Sequence, residues 1–140
     1  MRAIATILVG AAILSGCGRG VPPGVDPEGA ARAAQNPPEL SAVLSALEPL
    51  EGSQLDEGLV LRDARSEMGR LILDLQVNDP AIIDTSYERD AFRFTFERDF
   101  AQQMCAAPAL RAFVAERGGV TANVQDPNGT PILSRSIDSC

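Results

Sequence analysis

The residues with the most distinctive chemistry in this 140-residue chain are its three cysteines, Cys17, Cys105 and Cys140. Nineteen carboxylates accompany twelve basic residues, all of them arginine, and histidine is absent from the sequence. Histidine is the most usual general base, proton shuttle and zinc ligand, so the common machinery for these tasks is missing. We therefore expect a protein that is not an enzyme and that binds no metal or other cofactor.

Carboxylates offer a competing chemistry. Asp63, Glu67, Asp74 and Glu88 could perform acid–base work in an enzyme, or bind a small ligand, if they converged in one cleft. The alternative interpretation is that these side chains form a solvated polar face, as dispersed charges commonly do. Sequence spacing alone leaves both interpretations open.

The first seventeen residues have the organisation of a signal segment. Arg2 is followed by an apolar run of twelve residues, 3–14, which is too short to cross a hydrocarbon core of roughly 30 Å as a helix. Two small residues then precede Cys17 and let an extended backbone enter a peptidase site. We expect a signal peptide of residues 1–16, cut between Gly16 and Cys17. The alternative is an ordinary secretory signal that is cut elsewhere and leaves Cys17 as a thiol.

The tetrapeptide Leu14-Ser15-Gly16-Cys17 resembles the lipobox of bacterial lipoprotein precursors. The resemblance implies that Cys17 receives a diacylglycerol on its sulfur and becomes the first residue of the product, usually with an acylated amino group. Two or three acyl chains would anchor such a product stably in a membrane. Gly18 stands where an aspartate signals inner-membrane retention in well-studied Gram-negative lipoproteins. We therefore expect the periplasmic face of the outer membrane, with the N-terminal lipid as the membrane contact.

The negative net charge limits the classes of molecule that this protein is expected to bind. The formal net charge of −7 becomes −8 when Arg2 is removed with the signal peptide. An acidic surface of this kind is a poor partner for nucleic acid and has no basic patch for anionic lipid. We expect no nucleic-acid binding, and a protein partner within the envelope.

Two cysteines remain after lipidation, Cys105 and Cys140. A catalytic dithiol would normally be a Cys-x-x-Cys motif, and neither residue has a cysteine at that spacing. Disulfides persist in the compartment that the signal segment indicates, so we predict a Cys105–Cys140 bridge, with free thiols as the alternative.

The remaining chain divides into a tether and one domain. Residues 17–38 hold mostly Gly, Pro, Ala and Gln and cannot bury enough apolar surface to fold, which predicts a flexible tether after the lipidated cysteine. Residues 39–140 then form a single domain of common size. Periodicity in this domain predicts a helix from Leu40 and two β-hairpins, with strands at residues 59–65, 71–77, 120–124 and 132–137.

Residues 84–105 carry two periodicities. The phenylalanines of residues 92–96 alternate like a strand. Apolar residues also recur every four positions, as along one face of a helix: Phe92, Phe96, Phe100 and Met104. Thr85 and Glu88 fit a capping box, so we predict a helix whose phenylalanines pack in the core rather than form an exposed binding stripe. A second helix is predicted from Pro108 to the glycines at 118–119.

The C-terminal hundred residues resemble a small periplasmic family. The resemblance rests on five segments: Leu55-Asp-Glu-Gly-Leu59, Cys105-Ala-Ala-Pro108-Ala-Leu-Arg111, Gly118-Gly119, Asp126-Pro-Asn-Gly129 and Ile137-Asp-Ser-Cys140. The family includes quorum-sensing-regulated virulence factors of pseudomonads and one class of type II secretion pilotins. It implies an α+β two-layer sandwich with helices on one face and a disulfide from the long helix to the last strand. The hairpins predict an antiparallel four-stranded sheet within it.

The predicted anchor, the tether and the compact domain together suggest a leading hypothesis for the function. We expect a non-enzymatic lipoprotein that binds another envelope protein, as a pilotin grips the C-terminal segment of a secretin. The alternatives are the carboxylate-based enzyme or small-ligand binder, and a structural envelope lipoprotein without a dedicated partner.

Overall fold

The computed structural model describes residues 38–56 and 58–140. The predicted signal peptide, the cleavage site at Gly16 and Cys17, the lipidation site and all of the predicted tether except Pro38 lie outside the described residues.

Three helices and five strands follow one another along the described chain. In order they are α1 (Leu40–Leu47), β1 (Gln54–Asp56), β2 (Leu59–Glu67), β3 (Arg70–Val77), α2 (Ser86–Ala106), α3 (Pro108–Arg117), β4 (Val120–Gln125) and β5 (Pro131–Ile137). Short 3-10 turns, Glu48–Leu50 and Pro80–Ile83, follow α1 and precede α2. The α+β class predicted from periodicity is therefore confirmed.

The sheet is mixed, with strands in the order β1-β2-β3-β4-β5. Neighbouring strands are antiparallel except for β3 and β4, which run parallel with Leu71 opposite Val120 and Gln76 opposite Gln125. The prediction of four antiparallel strands is therefore wrong in two respects. Alternation identifies a strand but does not show which strands lie next to it. The long connection through α2 and α3 returns the chain to the starting end of β3, so that β4 runs parallel to β3. β1 has three residues and a register shift, too little for a detectable alternation.

A two-residue turn closes the first hairpin. Met68 and Gly69 both have positive φ, at 49° and 80°, which is the geometry of a type I′ turn. This turn matches the right-handed twist of the flanking strands, so β2 and β3 pair down to Glu67 and Arg70.

Helix α2 confirms the helical interpretation of the phenylalanine-rich segment. The Thr85 side chain accepts from the Glu88 backbone N–H, while the Glu88 carboxylate accepts from the Thr85 N–H, which completes the capping box. The buried side chains of α2 are spaced by four residues: Phe96, Phe100 and Met104. Phe94 instead points outward and is 68% exposed, so the expectation of core packing does not hold for that phenylalanine.

The core lies on one face of the sheet. Alternate residues of the central strand β3 belong to a single apolar cluster with the buried residues of all three helices: Leu71, Leu73, Leu75 and Val77. Asp74 and Gln76 occupy the other positions of the pleat and are half-buried on the opposite, helix-free face. The sandwich therefore has two layers.

The domain has two distinct ends. Glu39, where the described chain begins its first helix, forms an ion pair with Arg117 at 2.7 Å, and the adjoining Gly118 lies against the Gly69 carbonyl of the β2–β3 turn. We call this the hairpin end. At the opposite end, Gly58 lies against Ile82 before α2. The eight residues of β3 separate the ends by roughly 25 Å.

Gly119 joins α3 to β4 where a side chain cannot fit. Its φ is +84°, and a Cβ atom there would lie 2.4 Å from the Ile137 carbonyl oxygen. Gly52 has nearly the same φ, +79°, but a Cβ atom there would meet nothing within 4 Å. At both positions, a side chain would be strained by the left-handed backbone conformation. Only at Gly119 would it also clash with a neighbouring atom.

We expect Gly119→Ala to lower the free energy of unfolding by about 1 to 3 kcal/mol more than Gly52→Ala. Urea denaturation of the two variants measures the difference. Equal loss in both would show that the β4–β5 pairing accommodates the added methyl group.

Candidate functional site

The two described cysteines form a disulfide. Cys105, near the end of α2, is bonded to Cys140, the last residue of the sequence, with their Cα atoms 5.5 Å apart. The predicted bridge is therefore present, and it fixes the segment after β5 to the helical layer. The bond engages both sulfurs, so neither cysteine is a free thiol in this structure.

Three of the four predicted carboxylates converge on one arginine. Arg65 donates from Nη1 to Asp63 Oδ2 at 2.8 Å and from Nε to Glu67 Oε1 at 3.0 Å. The same Nη1 also donates to Asp74 on the neighbouring strand. The hydrogen bonds that Arg65 donates to these carboxylates, the one to Asp74 first, raise the pKa of Arg65 above its ordinary value. Arg65 is thus a permanent cation that holds three carboxylates against the helix-free face.

The cluster continues across the sheet. Asn123 on β4 donates from Nδ2 to Asp74 Oδ1 at 2.9 Å, and Ser134 on β5 donates to Asn123 Oδ1 at 2.8 Å. One chain of hydrogen bonds therefore runs from β2 to β5. We call this set the Arg65 network. Its members bind one another, so the arrangement joins four strands.

Glu88 lies apart from this network. Its carboxylate accepts from the Thr85 N–H and from the Thr85 hydroxyl, both at 2.9 Å, at the start of α2. The four carboxylates therefore do not share a cleft. Across residues 38–56 and 58–140, no cluster of three His, Cys, Asp or Glu residues is arranged to hold a metal ion.

The Asp126 side chain stabilises the turn between β4 and β5. Its Oδ1 atom accepts from the backbone N–H groups of Asn128 and Thr130, each at 2.8 Å. These backbone hydrogen bonds, that from Thr130 first, lower the pKa of Asp126 below its ordinary value. The segment is the β4–β5 turn predicted from Asp126-Pro-Asn-Gly129, and its carboxylate is occupied by the backbone.

A surface depression of about 430 Å³ lies at the end of the domain opposite the hairpin. It is lined by residues from β1, β2, the turn before α2 and the first half of α2: Asp56, Leu59, Ile82, Tyr87, Glu88, Ala91, Phe92 and Thr95. Most of the lining is apolar, and both charged residues in it, Asp56 and Glu88, are acidic. This arrangement can accept an apolar group.

Exposed aromatic residues adjoin the depression along α2. Tyr87 is 80% exposed and Phe94 is 68% exposed, although large aromatic side chains are mostly buried. They are seven residues apart, with Ala91 between them, so all three lie on one side of the helix. The Arg98 guanidinium lies 5.9 Å from the centre of the Phe94 ring.

The sequence pattern does not reveal the depression. Phe94 was expected in the core, and nothing in the periodicity placed Ile82 or the unpredicted strand β1 beside α2. A usable signal was present in α2, because Phe94 falls outside the four-residue repeat that buries Phe96, Phe100 and Met104. Within the part of the chain that the structure describes, no helix is long and apolar enough to cross a membrane.

No protein-family model and no curated protein matches this sequence. A search of solved structures finds a similar fold in the crystal structure of a candidate secreted protein from Pseudomonas aeruginosa. The TM-score is 0.58 at 14% sequence identity, and the match covers 76% of this chain and 89% of that chain. The expected likeness to a small pseudomonad protein family is thus supported at the level of the fold.

The disulfide should contribute strongly to stability. It closes a loop of 35 residues, and loss of such a cross-link costs about 3 to 4 kcal/mol on the chain-entropy account. We expect Cys105→Ser, Cys140→Ser and the double variant to lose similar amounts in urea denaturation, and reduction of the native protein to match them. A double variant as stable as the native protein would contradict this role.

Proposed function

We propose that this protein is a non-enzymatic lipoprotein at the periplasmic face of the outer membrane, and that it binds another envelope protein through the depression on α2. The observation that carries the proposal is the open apolar depression beside the exposed side chains of Tyr87 and Phe94. Exposed apolar surface of this kind commonly marks a site of protein association.

Three features support the proposed location. Residues 1–17 have the charge, apolar length and final cysteine of a lipoprotein signal. The Cys105–Cys140 disulfide suits an oxidising compartment. A protein with a similar fold is a candidate secreted protein. Each supports export, and Cys17 with Gly18 supports outer-membrane anchoring.

The depression favours a particular partner. Its apolar lining includes Leu59, Ile82 and Phe92, and its two charged lining residues are acidic. An amphipathic helix that presents apolar side chains next to lysine or arginine satisfies both properties. The partner we propose is therefore a basic, amphipathic segment of an envelope protein, in the manner of a pilotin with its secretin.

The anchored arrangement leaves this surface accessible. Glu39, which follows the proposed tether, lies at the hairpin end, roughly 25 Å from the depression along β3. A domain tethered at Glu39 can therefore turn the depression away from the membrane.

Cys17→Ser tests the anchor. We expect the native protein to sediment with outer membranes and to incorporate labelled fatty acid, because Cys17 is the proposed acylation site. The variant should lose both properties. Unchanged membrane association in Cys17→Ser would overturn lipid anchoring but would leave the binding site untested by that experiment.

Ala91→Arg tests the depression. Arginine at this exposed helical position would fill the depression and occupy the place of the partner's cation beside Asp56 and Glu88. Ala115→Arg is the matched control, since Ala115 is an exposed alanine on α3, away from the depression. Affinity capture from detergent extracts should recover an envelope protein with the native chain and with Ala115→Arg, and roughly tenfold less with Ala91→Arg.

A second control keeps the anchor but lacks residues 39–140. It measures how much protein is captured through the lipid alone. Equal recovery by both arginine variants would exclude the depression as the binding site. Recovery no greater than that of the anchor-only control would exclude a protein-binding function for the domain.

A further inference from the structure

Met68 occupies an unusual position for an apolar residue. It is fully exposed at the tip of the β2–β3 hairpin, and among the described residues it is the only non-glycine with a positive φ. Type I′ turns favour Asn, Asp or Gly at this place, because other side chains meet their own backbone there. The fold therefore gains nothing from a thioether at this position.

Met104 provides the opposite environment within the same chain. It is completely buried on α2 and belongs to the apolar core. The two methionines have the same intrinsic chemistry, so any difference in their reactivity reflects access of the oxidant to sulfur.

We propose that Met68 is a site of oxidation by hydroperoxides. The Met68 sulfur attacks one oxygen of hydrogen peroxide, a sulfur–oxygen bond forms as the oxygen–oxygen bond breaks, and the second oxygen leaves as water after proton transfer. Sulfur loses two electrons and the peroxide gains them, which gives methionine sulfoxide and one water molecule. Oxidation thus makes the apolar tip of the hairpin end polar.

The surrounding structure predicts that the fold tolerates this change. The Met68 side chain lies in solvent, and the hairpin is held by the backbone pairing of Glu67 with Arg70 on either side of the turn. Neither feature depends on the thioether. The hairpin end can therefore respond to an oxidant while the domain stays folded, whether or not the depression binds a partner.

Peptide mass spectrometry after peroxide treatment of the purified protein tests the proposal. The chain contains no lysine, so trypsin cleaves only after arginine. It releases Met68 in the peptide of residues 66–70 and, once the disulfide is reduced, Met104 in the peptide of residues 99–111. We expect the first peptide to gain one oxygen about as fast as free N-acetylmethionine. The second should react at least about tenfold more slowly in the native protein and at a similar rate in denaturant.

Two results would overturn the proposal. One is equal protection of Met68 and Met104 in the native protein, and the other is loss of the native circular dichroism spectrum when only Met68 is oxidised. Met68→Asn provides the control, because asparagine suits the turn and carries no sulfur. This variant should be at least as stable as the native protein. A marked loss of stability would show that the methionine side chain packs against the fold and is not free for oxidation.

Discussion

The parallel pairing of β3 with β4 is the interaction on which the rest of the structure depends. It joins the two antiparallel hairpins into one sheet and makes β3 the central strand. Parallel neighbours require a crossover between opposite ends of the sheet, and here α2 and α3 provide it. The crossover places Phe96, Phe100 and Phe113 over the apolar side of the sheet, where they are buried. The Cys105–Cys140 disulfide then ties the crossover to the chain end after β5.

The two faces of the sheet differ in polarity: one is apolar and covered by helices, and the other is polar. On the helical face, burial of Leu, Val and Phe side chains supplies the main driving force for folding. On the helix-free face, the same strands carry charged and polar groups, and the side chains of Asp63, Arg65 and Glu67 remain partly exposed to solvent. The Arg65 network pairs them across four strands. Three of the four carboxylates that could suggest catalysis from spacing alone, Asp63, Glu67 and Asp74, therefore all accept from Arg65 on this face.

The two ends of the domain also differ. The hairpin end holds Glu39, Met68 and the close approach of Gly118 to Gly69. The opposite end holds the depression with Tyr87 and Ile82. This separation arises from the direction of β3, which begins at the hairpin and ends beside the start of α2. This separation is compatible with the proposed anchor at one end and the proposed binding surface at the other.

Local chemistry in the sequence determined much of this architecture. The capping box at Thr85 and the four-residue repeat encode α2 through short-range geometry, the alternation encodes β3, and both elements formed as predicted. The disulfide was also predictable, because two cysteines without a Cys-x-x-Cys spacing were available in a chain with a predicted signal peptide. Only the tertiary structure decided the parallel β3–β4 register, the short strand β1, the exposure of Phe94 and the gathering of carboxylates at Arg65. These features depend on which distant segments lie side by side, and the periodicity of a single segment carries no information about its neighbours.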